Sequence, residues 1–223
     1  MSEWWKYTLS DFLLFSPRTY YRMIERYNDA VWPGQLATLA LGMLILGLLY
    51  RPALERRWII SGILAVLWAF VAGAFLWTRY ATINWAAGYF AVAFAVEAAL
   101  LMKLTIRPGR DVVGRIGMAL FVSSLALYPL LAPLLGRGLR QSEIFGVAPD
   151  PTVLATLGLL LVAEEPPPWW TLVVPLLWCL VSGATLWAMG SPEAWLLWLA
   201  AVLVLGSRWR ARVIAAPGAS RRT

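Results

Sequence analysis

The sequence contains no histidine and only one cysteine, Cys179. Without histidine, the chain lacks the commonest metal ligand and the side chain that normally titrates near neutral pH. A single cysteine cannot form an intrachain disulfide and cannot build a thiolate metal site by itself. We interpret Cys179 as a small apolar packing residue, and we expect neither a metal nor any other cofactor.

Charge is also scarce. Charged residues make up 14% of the 223 residues and hydrophobic residues 61%, whereas a soluble domain has about a quarter charged and about half apolar residues. The apolar excess is gathered into long blocks, which is typical of membrane-spanning helices. This composition predicts one all-α membrane domain that covers residues 1–223 and crosses the bilayer several times.

Motifs for common enzyme chemistry are missing as well. The sequence has no glycine-rich phosphate loop, no nucleophile elbow and no pair of metal ligands at a known spacing. A serine hydrolase of the usual kind would lack its histidine base. We therefore expect a protein that is not an enzyme, although an intramembrane enzyme acting on lipid stays open as a third interpretation.

The net charge of +7 is concentrated in a few loops and in the C-terminal tail. Such clusters are typical of membrane topology signals and of contact with anionic lipid. No basic stripe with interleaved exposed aromatic residues points to DNA or RNA. We expect the lipid bilayer to be the main partner, with a homo-oligomer or a membrane partner possible, and no nucleic acid.

Hydrophobic stretches bordered by tryptophan, proline or basic residues predict about seven transmembrane helices. A helix needs about 20 residues to cross the hydrocarbon core. The fifth stretch has only about 13 residues, so it must extend or lie where the apolar layer is thin. The predicted spans lie near residues 33–50, 58–77, 85–102, 116–135, 151–163, 169–189 and 192–207, and a basic tail follows at 208–223.

The N-terminal segment, residues 1–32, interleaves aromatic and charged residues and differs from the rest of the chain. Tyr20, Ile24 and Tyr27 recur at helical spacing, and arginines and acids occupy the other positions. This pattern predicts an amphipathic helix that lies on the membrane surface or on the helical bundle.

Three polar residues directly before a proline resemble helix N-caps. They are Ser16, Asp150 and Ser191. Serine and aspartate side chains accept hydrogen bonds from the first free amides of a helix, and proline is favoured at the first helical position. We interpret all three as structural caps rather than ligand-binding residues.

The stretch 84–103 contains Glu97, the only acid well inside an apolar run. A carboxylate that faces lipid is costly, so Glu97 should face the bundle interior, a wet cavity or a partner. Alanines recur every fourth residue from Ala87 to Ala99 on roughly the opposite face, where another helix could approach closely. We therefore expect this helix to lie at the centre of the bundle.

Two roles for Glu97 stay open. It could be a protonated acid hydrogen-bonded to a neighbouring helix, or it could lie on the path of an ion or a proton. Candidate partners on the proline-kinked fourth span are Ser123, Ser124 and Tyr128. The first role favours a non-catalytic membrane subunit or scaffold that docks a partner through its aromatic N-terminal helix. The second favours a small-solute or ion transporter or channel.

The distribution of lysine and arginine predicts the orientation. Twelve lysines and arginines lie in the C-terminal tail and in every second loop, counted from the loop after the first predicted span. The N-terminal segment and the remaining loops carry seven. Because positive loops stay in the cytoplasm, we expect the N-terminus outside and the C-terminus inside.

Two stretches carry a resemblance to a known family. TLSDFLLFSPRTYYRMIERYNDAVWP at residues 8–33 and FGVAPDPTVLATLGLLL at residues 145–161 are similar to a family of bacterial polytopic membrane proteins catalogued as a domain of unknown function. The likeness extends through residues 173–195. The resemblance implies a bacterial inner membrane and transfers no active site.

Overall fold

The computed structural model describes residues 14–50, 56–104, 106, 108–109 and 111–215, without the side chains of 56–57 and 211–215. In these residues the regular structure is helical, apart from an isolated antiparallel bridge between Pro108 and Ala163, so the all-α prediction is confirmed. Residues 1–13 of the predicted N-terminal segment and residues 216–223 of the predicted basic tail lie outside the described residues. The α-helices are α1 (Pro17–Val31), α2 (Gly34–Leu49), α3 (Arg56–Phe70), α4 (Ala87–Leu101), α5 (Val112–Ala126), α6 (Tyr128–Leu134), α7 (Pro149–Val162), α8 (Trp170–Ala188) and α9 (Ala194–Ala215).

Helix α3 continues into a π-helical segment, Val71–Trp77. Together with the turn that follows, the two form a continuous apolar stretch of 25 residues, Trp58–Thr82. Helix α8 supplies a second long apolar helix of 19 residues. By length and composition, these two helices in the described residues could each cross a membrane.

The prediction of about seven spans is wrong as a count. The described residues hold two candidate spans, or up to four if each of two bent helix pairs is one span. The pairs are α1 with α2, bent by 84°, and α5 with α6, bent by 53°. Helices α4 and α7 are apolar but have only 15 and 14 residues. At ~1.5 Å per residue they reach about 20 Å, short of a core of about 30 Å.

The central helix of the bundle is α7. Every residue from Pro149 to Val162 is buried, and α7 packs against α3, α5, α8 and α9. The contact with α5 is backbone to backbone, since a Cβ atom on Gly158 would lie 2.7 Å from the Phe121 nitrogen. Two glycines, Gly117 on α5 and Gly158 on α7, make this approach possible.

The expectation that the Glu97 helix is central is therefore wrong. Helix α4 buries one face only, and Tyr89, Val92 and Val96 on its other side are exposed. Of the four spaced alanines, Ala87 and Ala91 are buried, whereas Ala95 and Ala99 are exposed. A helix that is apolar all round can be covered by protein or by lipid, and the pattern of α4 does not distinguish the two.

Loops from different parts of the chain meet at the two ends of the α5–α7 pair. At one end, the Gly109 amide donates to the Val162 carbonyl over 2.8 Å. At the other end, the side-chain amide of Asn28 on α1 donates to the Ser142 carbonyl over 2.8 Å, and the Tyr27 hydroxyl donates to the Val147 carbonyl over 3.2 Å. Helix α1 is thereby fastened to the loop that leads into α7.

Candidate functional site

Glu97 lies on the buried face of α4. Its side chain is completely buried, and neither carboxylate oxygen has a hydrogen-bond partner. Phe94, one turn earlier, packs its ring 4.4 Å from that of Trp68 and 5.0 Å from that of Trp178. The Glu97 carboxyl thus sits on a helix face that is otherwise held by aromatic packing.

The predicted partners of Glu97 are used elsewhere. The Tyr128 hydroxyl donates to Asp150 over 3.3 Å, and the Ser124 hydroxyl donates to the Leu120 carbonyl of its own helix over 2.8 Å. Ser123 is half-buried on α5. Since α4 packs mainly on α3, the π-helical segment and α8, while α5 packs on α7, no hydrogen bond joins Glu97 to any of the three.

Asp150 accepts more side-chain hydrogen bonds than any other acid in the described residues. It is completely buried. Its Oδ1 atom accepts hydrogen bonds of 2.7 Å from the Trp178 indole nitrogen and 2.7 Å from the Ser182 hydroxyl. Its Oδ2 atom accepts the bond from Tyr128. Hydrogen bonds to a carboxylate are among the stronger ones in proteins, so this carboxyl ties α7 to α6 and α8.

The predicted capping role of Asp150 is wrong. The N-cap of α7 is Ala148, which has no side-chain cap, and Asp150 lies within the first turn. Its side chain points to α8 because two donors one helical turn apart, Trp178 and Ser182, face it there. An acid in the first turn is also favoured by the helix dipole.

The other two predicted caps behave differently from each other. Ser16 is the N-cap of α1, and its hydroxyl accepts a bond of 3.2 Å from the Thr19 amide. The Ser191 hydroxyl instead donates to Glu193 Oε2 over 2.6 Å. Glu193 also accepts from the Arg137 guanidinium, which lies 4.1 Å from the centre of the Tyr21 ring.

Glu143 is a second buried acid at the same end as Asp150. It lies in the loop before α7, and its Oε1 atom accepts a bond of 3.0 Å from the Tyr20 hydroxyl of α1, while Oε2 has no partner. Burial raises the pKa of this carboxyl well above its ordinary value, and the nearby carboxylates of Asp150 and Glu193 raise it further. We call Glu143, Asp150 and Glu193 the buried acid cluster.

A narrow cavity of about 10 Å³ lies beside this cluster, which is room for roughly one water molecule. Trp178 and Ser182, the two donors to Asp150 Oδ1, line it together with Tyr20 and Tyr80. The described residues contain no group of three or more acid, cysteine or histidine side chains that could hold a metal ion. The arrangement is thus a hydrogen-bonded polar interior.

Sequence reasoning missed the buried acid cluster. Glu143 lies in a polar loop, where acidic residues are common. Asp150 directly precedes a proline, and this pattern is typical of a helix N-cap. The available signal was the spacing of Trp178 and Ser182, which are four residues apart and therefore on one face of an apolar helix. That face needs a polar partner, and Asp150 supplies it.

These observations define the class of the protein: an all-helical bundle with long apolar helices around a buried central helix and with acids in its interior. The chain belongs to the family of unknown function DUF6064, whose model matches residues 18–215. The expected membership of a family without an assigned function is thereby confirmed. No curated protein and no solved structure matches the chain.

Proposed function

We propose that this protein is a helical membrane protein that moves a small cation, such as a proton, by means of carboxyl groups in its interior. The observation that carries the proposal is the Glu97 carboxyl, completely buried and without a hydrogen-bond partner. A buried polar group of this kind is costly and calls for an explanation. Acids inside apolar helices commonly mark ion and proton paths.

Exposed apolar side chains support insertion in a membrane. Large hydrophobic residues such as Val66, Val92 and Leu180 are more than half exposed on the surface of the bundle, and lipid would cover them. Exposed tryptophans cluster at helix ends, as expected of the interfacial belt. They include Trp58, Trp77, Trp85, Trp169, Trp187 and Trp195.

We further propose the bacterial inner membrane as the location, with the N-terminus outside and the C-terminus in the cytoplasm. This orientation comes from the lysine and arginine count over the seven hydrophobic stretches. It requires an odd number of crossings, and three of the up to four candidate spans would meet that requirement. The close contact of α1 with the loop before α7 is compatible with it, because both segments belong to the predicted outer set. A bacterial origin is supported by the sequence resemblance alone.

The buried acid cluster supplies further carboxyl groups for such a path. Asp150 and Glu143 each accept a hydrogen bond from a tyrosine hydroxyl, Tyr128 and Tyr20 respectively. A tyrosine hydroxyl can both donate and accept a hydrogen bond. In this proposal Glu97 and Asp150 bind the moving cation, and Tyr128 positions Asp150.

The test is proton flux into liposomes that hold the purified protein and a pH-sensitive dye, driven by a potassium gradient with valinomycin. We expect wild type to move protons faster than empty vesicles and Glu97→Gln to lose most of that flux. Glu165→Gln is the matched control, because Glu165 is an exposed acid in the loop before α8. Wild-type vesicles that leak no faster than empty ones would contradict the proposal, as would full flux in Glu97→Gln.

A second candidate function is a non-catalytic membrane subunit or scaffold. It is favoured by the complete burial of Glu97 and by the three donors on Asp150, which suit internal hydrogen bonding as well as transport. The exposed face of α1 would then dock a membrane partner or a second copy of the chain. Purification in mild detergent with crosslinking tests it, and a lone monomer without any partner argues against it.

A further inference from the structure

A groove of about 310 Å³ runs between α1 and the turn that follows the π-helical segment. Four arginines line it: Arg18, Arg22 and Arg26 from α1, and Arg79 from the turn. None of the described residues that line it is acidic. The first three are spaced four residues apart, so they lie along one face of α1, and Arg79 faces them from the other wall.

The acids Glu25 and Asp29 of α1 line a neighbouring cavity that also contacts Arg18, Arg22 and Arg26, but their contacts in the described residues are with the segment before α7. Glu25 accepts a hydrogen bond of 3.3 Å from Gln141, and Asp29 pairs with Arg140 over 3.5 Å. Both contacts lie on the side of α1 that faces the segment before α7. The four arginines form no ion pair in the described residues. Like charges held together repel one another, so an anion in the groove would stabilise the fold.

The floor of the groove is apolar. Met23 and Ile83 line it between the arginines, and both are half-buried. A guanidinium group binds phosphate through two parallel hydrogen bonds. A ligand that has both a phosphate and an apolar part matches the rim and the floor together, whereas a free phosphate ion would leave the floor uncovered.

The bend between α1 and α2 gives the groove a location. The two helices meet at 84°, so α1 lies parallel to the membrane surface if α2 runs along the membrane normal. The four arginines then lie at the level of the lipid headgroups. This step rests on the proposed insertion in a membrane, but it does not depend on transport.

We propose that this four-arginine groove binds the phosphate of an anionic phospholipid. The phosphate lies between the arginines of α1 and Arg79, and the start of the acyl chains covers Met23 and Ile83. Bound lipid would hold α1 against the bundle and so fix the loop that carries Glu143.

The test is thermal unfolding of the full chain in neutral detergent, with phosphatidylglycerol, phosphatidylcholine or inorganic phosphate added. We expect phosphatidylglycerol to raise the unfolding temperature in a saturable way and the other two to have little effect at equal concentration. Arg22→Gln with Arg79→Gln should weaken phosphatidylglycerol binding by about tenfold or more, the loss expected when charge-assisted contacts are removed. Arg115→Gln with Arg210→Gln is the control, since it removes the same charge from exposed residues elsewhere in the chain.

If the first pair of substitutions impairs folding, Arg18→Gln with Arg26→Gln tests the same groove. Equal stabilisation by inorganic phosphate would overturn the proposal in favour of a free-anion site. Equal binding by the groove variant and the control variant would overturn it as well. Either result would leave the proton-flux experiment unaffected, because that experiment tests Glu97 and uses liposomes that can be made of neutral lipid.

Discussion

The Ser182 hydroxyl donates a hydrogen bond of 2.7 Å to Asp150 Oδ1 and thereby joins the middle of α8 to the first turn of α7. The Trp178 indole nitrogen reaches the same oxygen from one helical turn earlier. Asp150 is completely buried, so each of these donors offsets part of the cost of burying its carboxyl. The stability of the bundle should therefore depend on this contact.

Ser182→Ala is expected to lower the free energy of unfolding by about 1.5–3 kcal/mol, the value of a hydrogen bond to a charged group. Thr185→Ala is the matched control, because the Thr185 hydroxyl on the same helix donates only to the Val181 carbonyl of its own helix. Denaturant unfolding in detergent measures both. Equal losses in the two variants would show that the contact with Asp150 contributes little.

Gly158→Ala should disrupt the contact between α5 and α7. The new Cβ atom would lie 2.7 Å from the Phe121 nitrogen and 2.8 Å from the Gly117 carbonyl oxygen, and both belong to the backbone, so the helices must separate. We expect a loss of about 1–3 kcal/mol from overpacking. Gly47→Ala is the control, since no described atom beyond its chain neighbours and its own helix backbone lies within 4 Å of its added Cβ, and alanine should stabilise α2 there by up to about 1 kcal/mol. Thermal unfolding compares the two, and equal shifts would contradict the close packing.

Arg137→Gln removes the guanidinium that pairs with Glu193 and leaves a mostly buried carboxylate without its cation. Breaking such a pair costs about 3–5 kcal/mol. Arg140→Gln breaks the pair between Arg140 and Asp29, whose side chains are 73% and 54% exposed respectively. This substitution should cost less than about 1 kcal/mol. Unfolding in chemical denaturant measures both losses. Equally small losses in the two variants would show that the Arg137–Glu193 pair contributes little to stability.

Ionisation of Glu143 should make the folded protein less stable as pH rises. Burial, followed by the carboxylates of Asp150 and Glu193, raises the pKa of its carboxyl in the folded protein. The folded state therefore binds this proton more tightly than the unfolded state does, and the contribution is fully present below about pH 4.3, the ordinary glutamate value. It is lost progressively as pH rises from there to the folded-state pKa.

Glu143→Gln isolates this contribution, because glutamine keeps the shape of the side chain and cannot ionise. As pH rises, we expect the unfolding free energy of wild type to fall relative to that of the variant. Unfolding measured at intervals from pH 4 to pH 8 tests this. A difference that is independent of pH would mean that Glu143 has the same pKa in both states.

The helical segments follow from local sequence. A helix lies in each of the seven apolar stretches, because apolar runs of more than about 12 residues are too long for typical strands and indicate helix. Ser16 caps α1 for an equally local reason, since its hydroxyl reaches an amide three residues away. Family membership also rests on the sequence alone.

The arrangement of these helices was decided by tertiary structure. Helices α4 and α7 are both short and apolar, yet α7 is buried all round whereas α4 exposes a face. Tertiary structure also decided which acid is hydrogen-bonded. Glu97 has no partner, whereas Asp150 joins three helices. Hydrophobic periodicity reports that a face avoids water, but it does not report whether protein or lipid covers that face. Only the packing of distant segments, such as Trp178 and Ser182 against Asp150, determines which acid is satisfied.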